Sequence, residues 1–97
     1  MKLRWTRPAL RDLSDIHAHI AEHNPAAALK VARIIRAQAE VLTAHSMIGH
    51  LGRVNGTREL VVTGYPYVVA YRIGKKTVDL LAVRHTARLW PPSYPDK

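Results

Sequence analysis

The amino-acid sequence predicts an α+β fold in which an N-terminal strand and an antiparallel two-helix hairpin pack with an antiparallel sheet of about four strands. The first observation is a pair of capped segments with apolar side chains at helical spacing, between residues 6 and 44. The second is a set of three runs rich in β-branched and aromatic residues, between residues 58 and 85. With 97 residues, of which 47% are hydrophobic and 23% charged, the chain suits a single domain that covers residues 1–97.

The N-terminal segment predicts a strand followed at once by a helix. Leu3 and Trp5 alternate with polar residues, so they share one face of a short strand at or near the edge of the sheet. Thr6 is a residue type that caps helices, and Pro8 fits the first helical turn because that turn needs no backbone N–H. Apolar residues then recur at helical spacing, which predicts a first helix that extends to about Glu22.

A second helix begins with the same kind of signal. Asn24 and Pro25 supply a cap and a first-turn proline, and an alanine-rich stretch with apolar residues at three-and-four spacing continues to about Ala44. Because only a few residues separate the two helices, they must turn back on each other as an antiparallel hairpin.

The rest of the chain divides into a loop, three strands and a tail. Residues 45–57 contain glycines and no sustained period, which predicts one long loop and a functional surface. Residues 58–64, 65–73 and 77–85 predict three antiparallel strands joined in a meander. The proline-rich tail, 86–97, is predicted to be extended or irregular.

The three predicted strands are apolar on both faces. In the last of them, strict alternation places Leu80 and Ala82 on one face and Leu81 and Val83 on the other. The helix hairpin covers only one face of the sheet. The second face is therefore covered by the tail at residues 89–90, by a second copy, by a partner chain, or by curvature that buries both faces near the middle of the sheet.

The charge balance indicates an anionic partner. Lys and Arg number 15 against 7 Asp and Glu, which gives a formal net charge of +8, and both halves of the chain share the excess. Arginine predominates among the cations, and its planar fork binds phosphate or carboxylate with two parallel hydrogen bonds. An RNA, a DNA or an acidic protein each satisfies this charge.

Several classes of site are excluded or weakly supported. The absence of cysteine excludes disulfides, thiolate nucleophiles and cysteine-ligated metals. His19 and His23 have the helical spacing of two metal ligands, but the sequence places no third ligand, so we expect no metal and no organic cofactor. No apolar run is long enough to span a membrane and no signal peptide is recognisable, which predicts a cytoplasmic protein.

Composition also permits a metal-independent attack on RNA. Such a reaction needs a base for the 2′-hydroxyl, an acid for the leaving oxygen and a cation for the charge that develops on the phosphate. The candidate side chains are Arg53, Arg58, Arg84, His85, Arg88 and Tyr94. The same residues also suit simple binding of an anion, and spacing alone does not decide between the two.

The order of features along the chain resembles the RelE/ParE superfamily of bacterial toxins from type II toxin-antitoxin systems. The matching stretches cover nearly all of residues 3–91 and read WTRPALRDLSDIHAHIAEHNPAAALKVA, HSMIGHLGR, GTRELVVTGYPYVVAYRI and VDLLAVRHTARLWP. The resemblance implies a microbial-RNase-like fold with a helix hairpin on an antiparallel sheet, as the pattern of the sequence also predicts.

The resemblance implies growth arrest by one of two routes. Members cut messenger RNA in the ribosome or, in the ParE branch, poison DNA gyrase, and a co-encoded acidic antitoxin neutralises them. It also implies contact with operator DNA only through the antitoxin, and no contact with a membrane. Cleaving members have an arginine after a tyrosine in the middle meander strand, where this chain has Val68 after Tyr67. This departure favours the ParE-like branch, with the ribosome-dependent endoribonuclease as the alternative.

The resemblance also assigns roles to particular residues. If the protein is a nuclease, His85 acts as acid or base, with Arg84, Arg88 and Arg58 on the phosphate. The residues expected to contact the antitoxin or the target are Arg53, Arg58, Arg72, Arg84, Arg88 and Trp90.

Overall fold

The computed structural model describes residues 1–87 and 94. The helices are α1 (Arg7–Ala21) and α2 (Pro25–Glu40), and a single 3₁₀ turn, Val41–Thr43, follows α2. The strands are β1 (Lys2–Trp5), β2 (His50–Leu51), β3 (Arg58–Val61), β4 (Tyr67–Ile73) and β5 (Thr77–His85). Two helices on one sheet confirm the predicted α+β class.

Both helices begin at the predicted caps. The Thr6 hydroxyl oxygen accepts a hydrogen bond from the Ala9 N–H at 3.3 Å and donates one to the Leu80 carbonyl at 2.6 Å. The Asn24 side chain accepts from the Ala27 N–H at 3.0 Å. The second α-helix ends at Glu40, earlier than predicted, because the next residues tighten into the 3₁₀ turn.

Over the described residues the sheet has five strands in the order β1-β5-β4-β3-β2, and it is mixed rather than wholly antiparallel. β1 lies at the edge, as predicted, but pairs parallel with β5. The sequence did not reveal this direction because Leu3 and Trp5 turn toward the helices whichever way the neighbouring strand runs. The strand that exceeds the predicted four is β2. It was predicted as loop because a strand of two residues is too short to show an alternating pattern.

The main core lies between the helices and the sheet. Its largest fully buried side chains from the helical region are Ile35 and Leu42, and the sheet contributes Tyr71, Leu80 and Val83. Burial of this kind of surface supplies most of the stability of a small domain. We call this side of the sheet the helix-facing side.

A β-bulge in β5 corrects the predicted alternation of its side chains. Ala82 pairs with Ala70, but the next residue of β4, Tyr71, pairs with Leu80, so Leu81 is the extra residue. Leu80 and Val83 therefore lie together in the main core, whereas Leu81 and Ala82 lie on the opposite side. The predicted strict alternation is wrong after Leu81, because the extra residue of the bulge moves each following side chain to the opposite face.

The second side of the sheet is covered by segments of the same chain. Val54 from the β2–β3 connection and Tyr94 from the tail pack with Ala70, Leu81 and Ala82 in a second buried cluster. The predicted cover at residues 89–90 lies outside the described residues. Among the described residues, no helix is long and apolar enough to cross a membrane.

Candidate functional surface

Arginine side chains gather on the side of the sheet that faces away from the helices. Arg4 and Arg72 alternate with residues of the main core along their strands, and Arg84 follows the core residue Val83. Arg53 reaches the same side from the β2–β3 connection. We call this side, with Arg4, Arg53, Arg72 and Arg84, the arginine face.

At one end of the arginine face, two arginines flank an aspartate. The Arg4 Nε lies 2.9 Å from Asp79 Oδ1, and Arg72 pairs directly across the sheet from Asp79. The hydrogen bond from Arg4 is the main cause that lowers the pKa of Asp79, and Arg72 adds to the effect. This end therefore holds a fixed carboxylate between two cations.

In the middle of the arginine face lies a buried carboxylate that sequence reasoning missed. Glu59 is 1% exposed. Its Oε2 accepts a hydrogen bond from the Arg53 N–H at 2.8 Å, and its Oε1 lies 3.8 Å from both Arg53 Nε and His50 Nε2. The sequence held one sign of this residue. It is a glutamate within a predicted strand, at a position where the side chain alternates to the face opposite its two neighbours. Glu59 fixes the position of Arg53 and of the turn that carries it.

Tyr94 covers the centre of the arginine face. Its neighbours in the cluster include the small side chains of Ala70 and Ala82, which leave room for a phenol ring. Burial, and then the nearby charge of Glu59, raise the pKa of Tyr94 to about 12. The phenol therefore stays protonated at neutral pH. Arg88 and Trp90, also predicted for the binding surface, lie outside the described residues.

Arg58 lies on the helix-facing side and holds a loop instead of joining the other arginines. One of its terminal nitrogens donates to the Gly49 carbonyl at 2.8 Å and to the Met47 carbonyl at 3.4 Å. The fully buried Tyr71 donates from its hydroxyl to the Ser46 carbonyl at 2.6 Å and accepts from the Gly49 N–H at 3.0 Å. We call residues 45–49, which lead into β2, the pinned loop.

Gly49 fits the pinned loop because of close approach. A Cβ at this position would lie 2.6 Å from the Tyr71 hydroxyl oxygen and 2.7 Å from the Glu59 carbonyl oxygen. Any larger residue would therefore separate the loop from the sheet. Burial of the Tyr71 hydroxyl raises its pKa, so it remains a donor at physiological pH.

His85 lies on the helix-facing side, in a cleft of about 500 Å³ between α1 and the end of the sheet. Its ring packs edge-on against Tyr67, with ring centres 5.6 Å apart. Its Nδ1 accepts from the Ala87 N–H at 3.1 Å, so the proton of the neutral ring is on Nε2. The cleft is lined by Asp12, Asp15, Ile16, His19, Tyr67, Val83, His85 and Ala87.

The structure separates the residues predicted for catalysis. Arg84 and His85 are neighbours on β5 and point to opposite sides of the sheet. Arg58 is on the same side as His85, but their partners on β4, Tyr71 and Tyr67, are four residues apart, or about 13 Å along the strand. Within the described part of the chain, no three His, Asp or Glu side chains are arranged to hold a metal ion.

Comparison with known proteins identifies the family. The family model for the ParE toxin of the type II toxin-antitoxin system parDE matches residues 3–90. The protein Y4kP of Sinorhizobium fredii is 39% identical over 90 residues, which cover 93% of each chain. The toxin RelE2 of Caulobacter vibrioides is 36% identical over 85 residues, which cover 88% of this chain and 94% of that toxin.

A solved structure agrees with this assignment. A chain described as belonging to the chromosomal ParDE toxin-antitoxin system of P. aeruginosa superposes with a TM-score of 0.81. It is 31% identical, and the match covers 88% of this chain and 95% of that one. The chain belongs to the ParE toxin family and is the toxin of a type II toxin-antitoxin system with a cognate antitoxin.

Proposed function

We propose that this ParE toxin arrests growth in the cytoplasm by binding and poisoning DNA gyrase, and that its antitoxin is an acidic protein held by the arginine face. Contact with operator DNA is made through the antitoxin. The observation that carries the proposal is the placement of Arg84 and His85 on opposite sides of the sheet. In RNA cleavage, the cation that stabilises the phosphate and the acid or base that transfers a proton must both reach the same phosphodiester.

The chemistry of the arginine face also supports binding over catalysis. Tyr94 is held in its protonated form, and Glu59 is buried with one oxygen bonded to the Arg53 N–H. Neither group is a ready base for a 2′-hydroxyl. Arg53 and Arg84, in contrast, present charge beside a buried apolar cluster, a combination that fits a carboxylate-bearing protein segment.

The alternative function, a ribosome-dependent endoribonuclease, rests on the cleft around His85. That cleft brings His85 and His19 together with Tyr67 and Asp15, and such residue types serve as general acids and bases. A nuclease of this kind would need a cation from outside the described residues, such as Arg88, because Arg84 lies on the far side of the sheet and Arg58 is bonded to the pinned loop.

Induction of the chain without its antitoxin distinguishes the two functions. We expect growth arrest with intact messenger RNA ends and with gyrase-linked DNA damage or altered plasmid supercoiling. The His85→Ala variant should arrest growth as strongly as the wild type, because the His85 side chain is exposed and gyrase binding needs no acid or base. Cleavage of messenger RNA at defined positions within codons, together with loss of growth arrest in His85→Ala, would overturn the gyrase proposal and establish the nuclease.

A further inference from the structure

Cations gather at one end of the arginine face, where β1 begins and β4 ends. Arg4 and Arg72 both pair with Asp79 of β5, one from each side. Lys2 lies two positions before Arg4 on β1, so its side chain turns to the same face. The backbones of Arg4 and Arg72 are about 10 Å apart across the sheet, and Lys2 is about 7 Å from Arg4 along its strand. These cations therefore cover an area rather than a single point.

Two lysines extend this group at the tip of the β4–β5 hairpin. Lys75 and Lys76 are both exposed. The Gly74 N–H donates to the Thr77 carbonyl at 2.8 Å and closes the turn that carries them. The Lys2 N–H donates to the Lys76 carbonyl at 3.3 Å, which holds the start of β1 beside this turn. We call the five cations the basic end: Lys2, Arg4, Arg72, Lys75 and Lys76.

The carboxylate of the basic end, Asp79, is already paired. Its side chain is 17% exposed, against 47% for Arg4, whose Nε lies 2.9 Å from Asp79 Oδ1. The Thr77 hydroxyl donates to the same oxygen at 2.9 Å. Among the described residues, five cations against this one carboxylate give the basic end half of the chain's formal net charge of +8. A partner that approaches from this side therefore meets a cationic surface.

The basic end lacks the apolar anchors of a protein interface. Protein partners are held mainly by aromatic or aliphatic side chains that are buried at the centre of the contact. Within the described part of the chain, none of the large exposed apolar side chains lies on the basic end. The nearest along the chain is Met1, whose amino group donates to the Thr43 carbonyl on the helix-facing side at 2.9 Å.

A nucleic-acid backbone matches this kind of surface. Duplex DNA carries one negative charge per about 1.7 Å of its axis, so an area about 10 Å across faces several phosphates. Phosphate contacts need cations but no apolar pocket, and they position a protein on the duplex without reading its bases. The charge of the basic end therefore complements a phosphate backbone better than a protein segment.

We propose that the basic end binds the phosphate backbone of duplex DNA, independently of base sequence, and holds the toxin on the DNA that gyrase engages. The proposal rests on the proposed function in requiring gyrase as the target. Operator recognition through the antitoxin is a separate, sequence-specific contact. A contact made by charge weakens steeply with salt, so with about four phosphates engaged the affinity should fall roughly 100-fold between about 50 and 200 mM salt.

The test compares two double substitutions that remove the same charge. Lys75→Gln with Lys76→Gln changes the basic end, and Lys30→Gln with Arg33→Gln changes two exposed cations of α2. For the wild type and both variants we would measure the urea midpoint, the affinity for a short DNA duplex of arbitrary sequence at several salt concentrations, the antitoxin affinity and the amount of cleaved DNA that gyrase accumulates.

The basic-end variant should bind the duplex about tenfold or more weakly at about 100 mM salt. The slope of log affinity against log salt should become shallower by about 2, because two phosphate contacts are lost. Gyrase should accumulate less cleaved DNA with this variant, and the antitoxin affinity should be unchanged. The α2 variant should match the wild type in all four measurements. Lys2→Gln with Lys75→Gln repeats the test if the first variant does not fold.

Three results would overturn the DNA proposal. The first is a wild-type protein without measurable affinity for the duplex at low salt. The second is equal weakening in both variants, which would make net charge the cause. The third is loss of antitoxin affinity in the basic-end variant, which would assign this surface to the antitoxin.

The DNA proposal and the gyrase proposal fail separately. If the wild type binds the duplex through the basic end but gyrase accumulates no cleaved DNA, the DNA site stands and the gyrase target is wrong. If the basic-end variant loses duplex affinity and still poisons gyrase as the wild type does, the gyrase function stands and the role of the basic end in it is excluded.

Discussion

The two sides of the sheet are built from alternating residues of the same strands, yet they differ in what their side chains do. On the helix-facing side, Tyr71, Leu80 and Val83 pack against the helices and are closed to solvent. On the arginine face, the small residues Ala70 and Ala82 are buried together with the ring of Tyr94, on the side of the sheet that also carries the arginines. One side supplies most of the burial that stabilises the fold, and the other carries the charge that we propose attracts the antitoxin.

This comparison shows how a chain of 97 residues provides both a core and a charged face, which we propose as the binding surface. Successive side chains of a strand point to opposite faces of the sheet. The same strand can therefore carry apolar residues on one face and charged residues on the other. Substitutions on the helix-facing side should therefore change stability, and substitutions on the arginine face should change affinity.

The largest expected effect comes from the core. Ile35→Ala removes a fully buried side chain between α2 and the sheet, and it should lower the free energy of unfolding by about 2–5 kcal/mol. Leu29→Ala, on the exposed side of the same helix, should change it by no more than about 0.5 kcal/mol. Urea denaturation measures both values. Equal stability of the two variants would contradict the assignment of the core to the helix-facing side.

Tyr71→Phe should have the next largest effect. It keeps the buried ring but leaves the Ser46 carbonyl and the Gly49 N–H without their bonds to the hydroxyl, at a cost of about 1–3 kcal/mol. Hydrogen exchange at the Gly49 amide should also become faster, because the pinned loop is released. Tyr67→Phe, on the same strand, is the matched control. Unchanged exchange at Gly49 in Tyr71→Phe would show that the hydroxyl does not fix the loop.

Arg84→Glu tests the arginine face. Reversal of this charge should weaken the antitoxin complex about tenfold, or about 1.4 kcal/mol, and should flatten the dependence of affinity on salt. Arg33→Glu, on the exposed surface of α2, makes the same change in net charge elsewhere. Calorimetry at several salt concentrations compares the two variants. Equal loss in both would mean that net charge, rather than the arginine face, attracts the antitoxin.

The smallest expected effect is that of the ion pair at the end of the arginine face. Because the pKa of Asp79 is lowered in the folded protein, its stabilisation is present above the unfolded pKa of about 3.9 and is lost as the pH falls below that value. Asp79→Asn should therefore cost about 0.2–1 kcal/mol at pH 7 and almost nothing in strong acid. Urea denaturation across this pH range, with Asp15→Asn as the control, measures the difference. A cost that persists in strong acid would exclude the ion pair as its source.

Much of the fold could be predicted because its signals are local. Thr6 and Asn24 cap helices through residues only three positions away, and the alternation of β3 and β4 follows from adjacent side chains. The bulge at Leu81 could not be predicted, since it exists only in the pairing of β5 with β4. The burial of Glu59 likewise depends on a turn that folds back over β3.

The structure places three of the residues predicted for binding on one face of the sheet, namely Arg53, Arg72 and Arg84, and their contact with a partner stays a prediction. The sequence did not show that Arg58 belongs to the other side, where it bonds to the pinned loop. Tyr94 was named with Arg53 and Arg84 as a candidate side chain, but the sequence did not show that it would be buried beside Glu59.

The sequence by itself determined the helix hairpin, the meander strands, the excess of positive charge and the resemblance to a toxin family. These depend on composition and on spacing within short segments, which no distant contact changes. Only the tertiary structure decided which side of the sheet each arginine occupies, that His85 and Arg84 point apart, and that Tyr71 and Arg58 hold the pinned loop. The reason is that these features depend on hydrogen bonds and strand pairings between residues far apart in the chain, whose partners become defined only when the sheet forms.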